Sequence, residues 1–140
     1  GAVAIAAPSA TILPMSDQPV GATEGKPQPH ESAVLIPCPH LNAPVELSED
    51  REQHIAQRHP ELLPQHRDLV VGAIQAPDQV RASSRFAAAQ LFSRWYTDLR
   101  GGKHVVVVVI SEDSPRIRHW IVTAYLTRRL SEGSTAWTRD

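Results

Sequence analysis

The clearest two-residue alternation in the chain lies near its end, in His119-Trp120-Ile121-Val122-Thr123-Ala124-Tyr125-Leu126-Thr127. The even positions Trp120, Val122, Ala124 and Leu126 are apolar, whereas Thr123, Tyr125 and Thr127 put a hydroxyl at every second position. A strand sends successive side chains to opposite faces, so this stretch predicts one apolar face and one face lined with hydroxyls. Thr and Tyr are good strand formers in their own right, and the row alone is not a site. It becomes one if other polar groups converge on it.

Upstream, the apolar run 33–36 stops at Pro37-Cys38-Pro39, and Asn42-Ala43-Pro44 turns the chain into Val45-Glu46-Leu47. The prolines confine these pieces to a sheet edge, as two short strands or one loose hairpin. Ser48 is placed to cap a helix, with acids in the first turn and Arg51 at its third position. That helix runs to Arg58 or His59, because the residue before Pro60 avoids helical geometry. His54 and Arg58, four apart, share a face, while Ile55 points to the core. A second helix over 64–76 shows the apolar stripe Leu69, Val70, Ala73 and Ile74 and ends at Pro77-Asp78.

The remainder reads as strands. These cover 79–84, then 90–97, with Leu91, Ser93 and Trp95 on one face and Phe92, Arg94 and Tyr96 on the other. A glycine turn at Arg100-Gly101-Gly102-Lys103 leads into 104–110, whose five consecutive valines predict a strand buried on both faces. The alternating strand follows, and 132–137 adds a short edge segment. The expected fold is therefore α+β, with two N-terminal helices packed on one face of a four-stranded antiparallel sheet. The hydroxyl row then falls on the other face, provided the even positions meet the helices.

Composition adds boundaries. Residues 1–32 hold Pro8, Pro14, Pro19, Pro27 and Pro29 and no sustained period, which predicts a flexible Pro/Ala-rich linker or tail before a domain over 33–140. Through Asp50 the only Lys or Arg is Lys26, against six acids; beyond it thirteen Lys and Arg stand against nine Asp and Glu, a balance of +4. Most of those cations are arginine, whose planar fork suits phosphate. The opening residues lack a basic n-region, so a signal peptide is not expected. The apolar run 105–110 is too short to span a bilayer, and no membrane association is expected. A single cysteine, Cys38, allows no internal disulfide and fits a reducing, cytoplasmic setting. Cys38 and His40 lack the partners a zinc set needs, so neither a metal nor a cofactor is expected.

Three stretches together, His54-Ile55-Ala56-Gln57-Arg58-His59-Pro60-Glu61-Leu62, the run from Ala73 to Ser83 containing Pro77-Asp78-Gln79-Val80, and the run from His104 to Val109 followed by His119 to Thr127 with its Val122-Thr123-Ala124-Tyr125-Leu126-Thr127, are familiar in their order and spacing. The chain resembles the phage-associated nuclease-like domains grouped with barnase, EndoU, the colicin ribonucleases and the RelE toxins (the BECR superfamily). The likeness covers roughly residues 47–137. It implies a helical part on a four-stranded antiparallel sheet and metal-independent endoribonuclease activity, used in bacterial or phage conflict and often as a toxin. It also implies RNA as substrate and an antitoxin or immunity protein as partner.

Cleaving RNA by attack of the 2′-hydroxyl needs a base, an acid for the 5′-oxygen, and cations for the charge on phosphorus. The residues matched to the family motifs supply these types. The expected catalytic set is His54, Arg58, Arg81, Thr123, Tyr125 and Thr127. In it His54 acts as base or acid, Arg58 and Arg81 hold phosphate, and the hydroxyls orient it. His59, Ser83 and Arg94 are expected substrate contacts, with His59 an alternative acid. The rival reading is an inactive relative that binds nucleic acid or protein without cutting. A nucleotide-modifying enzyme finds no Gly-rich phosphate loop in the sequence.

Overall fold

The computed structural model describes residues 25–28, 31–85, 88–130 and 133–139. Most of the expected tail over 1–32 thus lies outside the described residues. The elements, in chain order, are β1 (Ala33–Cys38), β2 (Ala43–Ser48), α1 (Glu49–Arg58), α2 (Arg67–Gln75), β3 (Gln79–Ala82), β4 (Ala89–Tyr96), β5 (Lys103–Glu112), β6 (Arg118–Thr127) and β7 (Ser134–Thr138).

All seven described strands form one sheet in the order β1-β2-β6-β5-β4-β3-β7. This corrects the expectation of a four-stranded, wholly antiparallel sheet preceded by two helices. The sheet is mixed, and two strands come before the first described helix. The antiparallel run β3 to β6 occupies its middle, and three more strands extend it. On one side, Ala33–Cys38 and Ala43–Ser48 close an antiparallel hairpin. Its turn places Asn42 at φ 55, a left-handed conformation Asn tolerates better than most residues. Strand β2 then meets β6 in parallel through the pair Glu46–Trp120. Arg118 reinforces this join by donating from Nε and Nη2 to the two carboxylate oxygens of Glu46, at 2.9 and 2.7 Å. That carboxylate raises the Arg118 pKa further above the ordinary range. On the far side β7 pairs with β3. Its five residues are all exposed, so no buried stripe marks it in the sequence.

Helix α1 starts as its sequence dictates. Ser48 Oγ accepts the Arg51 N–H at 3.1 Å, and Glu49, Asp50 and Glu52 occupy the first turn. It ends at His59, whose N–H donates to Ile55 O at 2.7 Å just before Pro60. Helix α2 seats close to the sheet at Gly72, where an added Cβ would lie 2.4 Å from the Tyr96 hydroxyl. That hydroxyl donates to Leu69 O at 3.1 Å.

The main core lies between the helices and the sheet. Ile55 of α1 and Val70, Ala73 and Ile74 of α2 pack on Phe92, Val105, Val107, Val109, Ile121 and Ala124. The valine strand β5 is the central strand of the seven, and its middle, Val105 to Ile110, is buried except for the half-buried Val108. A second cluster of Ala89, Ile110, Trp120 and Val122 lies apart from that core. The division exposes an irregularity in β6. Its register with β5 slips between Val108, opposite Thr123, and Val109, opposite Ile121, so Val122 is the extra residue of a bulge. Beyond the bulge, Ala124 and Leu126 face the helices as the alternation requires. Before it, Ile121 takes that role, and Trp120 and Val122 join the second cluster.

Candidate functional site

β2 and β6 pair only at Glu46–Trp120, and α1, which follows β2 directly, lies beside the C-terminal half of β6. Residues 51, 54 and 58 recur at i, i+3 and i+7 and form one stripe, with the core-facing Ile55 beside it. The stripe Arg51, His54 and Arg58, with His59 at the helix end, forms one wall of a cleft of about 460 Å³. Val122, Thr123, Tyr125 and Leu126 of β6 form its floor, and Arg85 reaches it from the β3–β4 connection. The cleft therefore gathers two imidazoles, three guanidinium groups and two hydroxyls.

Each member is placed by a local device. Arg51 is half-buried, and its Nη1 donates to Val122 O at 3.2 Å, tying α1 to the bulge. The His59 ring lies 6.4 Å from that of Tyr125, centre to centre, and its Nδ1 stands 3.4 Å from Glu61 Oε2, so the carboxylate orients the imidazole. Ser83 Oγ accepts the Arg85 N–H at 3.0 Å and shapes the turn that presents Arg85. Acting through that turn, Ser83 supports the cleft without lining it.

Tyr125 also borders a narrow crevice of about 50 Å³ lined by Arg81, Ser93, Val106, Thr127, Arg129 and Leu130. Two further residues expected in the catalytic set, Arg81 and Thr127, sit here, and both are engaged with the fold. Arg81 donates to Gln79 Oε1 at 3.2 Å, Thr135 Oγ1 at 3.1 Å and Gly133 O at 2.8 Å, which clamps β7 to β3. Thr127 Oγ1 donates to Arg129 O at 2.8 Å and accepts the Arg129 N–H at 3.3 Å, closing the turn after β6. Arg94 is not brought to the cleft. It shares a face with Phe92 of the main core, where it donates to Ala76 O at 3.3 Å and stacks 5.5 Å from the Tyr96 ring.

Of the nine residues the sequence singled out, His54, Arg58, His59, Thr123 and Tyr125 line one cleft. Arg81 and Thr127 stand behind Tyr125, Ser83 positions a cleft residue, and Arg94 is elsewhere. The sequence reading missed Arg51 and Arg85. The helical stripe through His54 and Arg58 points to Arg51, but the connection that carries Arg85 has no periodicity from which to place it. Among the described residues, no group of three or more His, Cys, Asp or Glu side chains is arranged to hold a metal ion. Nor is any described helix long and apolar enough to cross a membrane. Cys38 is buried, and burial pushes its thiol pKa up.

No family model, curated protein or solved structure matches the chain.

Proposed function

We propose that this chain is a metal-independent endoribonuclease of the BECR type, acting in the cytoplasm as a toxin in bacterial or phage conflict. The observation that carries the reading is the convergence of His54, His59, Arg51, Arg58, Arg85, Thr123 and Tyr125 on one cleft. Imidazole titrates near neutral pH and serves either proton role. One histidine takes the proton from the ribose 2′-hydroxyl as the 2′-oxygen attacks phosphorus. The other gives a proton to the departing 5′-oxygen, leaving a 2′,3′-cyclic phosphate and a 5′-hydroxyl. His54 is the first choice for one role, and His59, oriented by Glu61, for the other. The guanidinium groups bear the charge that grows on the phosphoryl oxygens, a contribution worth about 10²–10³ in rate for a single well-aimed donor. Thr123 and Tyr125 orient the phosphate from the floor. A chain with this activity requires a neutralising antitoxin or immunity partner in its own cell.

The test is induced expression of the whole chain beside His54→Ala and Arg58→Ala versions of matched soluble yield, with growth followed and total RNA run on a gel. Arrest with fragmented RNA for the parent, and neither for the variants, is expected. Healthy growth and intact RNA in all three, with translating ribosomes equally untouched in extract, would leave a binding module in place of an enzyme.

A further inference from the structure

The cleft does not end at Leu126. The same side chain borders a second groove of about 540 Å³, lined by Pro60, Glu61, Arg100 and Lys103. We infer that this groove is a second phosphate subsite, so that the substrate is a single-stranded RNA longer than a dinucleotide. The inference rests on the ribonuclease reading of the cleft and names the length of substrate that the cleft takes.

Three features support it. First, the two sites are continuous: Leu126 lines both, and Pro60 and Glu61 follow directly on His59. Lys103 lies three residues before Val106, the partner of Tyr125, and one strand over. Strand geometry puts the Lys103 and Tyr125 Cα atoms about 11 Å apart, and the odd offset sets Lys103 on the Leu126 face of the sheet, across the strand edge from Tyr125. Second, the groove is cationic. It holds two cations, Arg100 and Lys103, against one carboxylate, Glu61, which stands 3.4 Å from His59 Nδ1. Lys103 Nζ donates to Arg100 O at 3.2 Å, which holds the ammonium over the turn and uses one of its three donors.

Third, Arg100 sits at φ 49, ahead of Gly101 at 79 and Gly102 at 104. A left-handed conformation costs an ordinary side chain about 1 kcal/mol or more, which Gly would avoid. The turn contains glycine at its next two positions and yet carries arginine at this one. Packing does not account for it, since Arg100 is exposed. A phosphate contact does.

The test uses uncleavable 2′-O-methyl oligonucleotides of two and six residues, with binding to the whole chain measured across salt concentrations. The variants are Arg100→Gly, which relieves the backbone while removing the charge, Lys103→Gln, and the two combined. Single-stranded binding loses about 0.7 in the slope of log K against log salt per phosphate contact removed. The double variant is expected to lower the hexanucleotide slope by about 1.4 and to leave dinucleotide binding unchanged, with thermal stability maintained. An unchanged hexanucleotide slope, while Arg58→Gln lowers it, would overturn the subsite and leave the ribonuclease reading standing. No binding of either oligonucleotide by the parent would overturn both.

Discussion

Arg51 of helix α1 donates from Nη1 to the backbone carbonyl of Val122, the bulge residue of β6, at 3.2 Å. That bond joins the two elements that make the cleft, at the point where β6 changes the face its side chains take. Arg51→Met is expected to cost about 1 kcal/mol of stability. The lost bond would be partly offset, because Arg51 Nε is a buried donor with no partner among the described residues. RNA affinity should fall by more than the folded fraction does. Chemical denaturation beside oligonucleotide binding separates the two effects. Unchanged affinity would remove Arg51 from the ligand's contacts.

Arg81 holds β7 in place. Arg81→Ala deletes three hydrogen bonds to Gln79, Thr135 and Gly133, and a loss of about 2 kcal/mol is expected. Amide hydrogen exchange should speed up over Ser134–Thr138 and leave β5 protected. Cleavage per folded molecule should persist. If it disappears while β7 stays protected, Arg81 touches the substrate after all.

The same residues show how far the sequence could be read. The Ser48 cap, the stop at Pro60 and the buried valine strand follow from local chemistry, and the structure has each. The hydroxyl row was legible as well, since Thr123 and Tyr125 reach the cleft. The bulge was not. A single extra residue at Val122 exchanges the faces of Trp120 and Ile121, and nothing in their identities announces it, because all three are apolar. Strand β7 was only faintly visible, for its pairing is held by Arg81 and by backbone bonds rather than by a buried stripe. Arg94 illustrates a further limit. Its alternation with Phe92 was correct, but which face of β4 meets the helices is a property of the whole sheet.

Two histidines outside the cleft give a pH dependence of stability. Burial lowers the pKa of both His104 and His119, opposed in part by Asp78 and Glu46 respectively. His119 Nδ1 also lies 2.7 Å from Ser111 Oγ. With folded pKa values below the unfolded value of 6.5, the unfolded chain takes up protons first as pH falls. Their contribution is therefore fully present above pH 6.5 and is lost below it, levelling off once the folded-state pKa values are passed. Tm should be flat just above neutrality and decline on acidification, and His119→Gln should make the decline shallower. An identical decline in that variant would place the titration elsewhere.

The most direct test of the ribonuclease reading is the chemistry of the cut ends. A defined oligoribonucleotide would be incubated with the whole chain in excess chelator and the products identified by mass. The account predicts 2′,3′-cyclic phosphate and 5′-hydroxyl ends, no cut where the 2′-hydroxyl at the cleaved position is replaced by hydrogen, and a rate lower by about 10²–10⁴ in His54→Ala. Products with 5′-phosphate ends, or cleavage that survives loss of the 2′-hydroxyl or of His54, would contradict it.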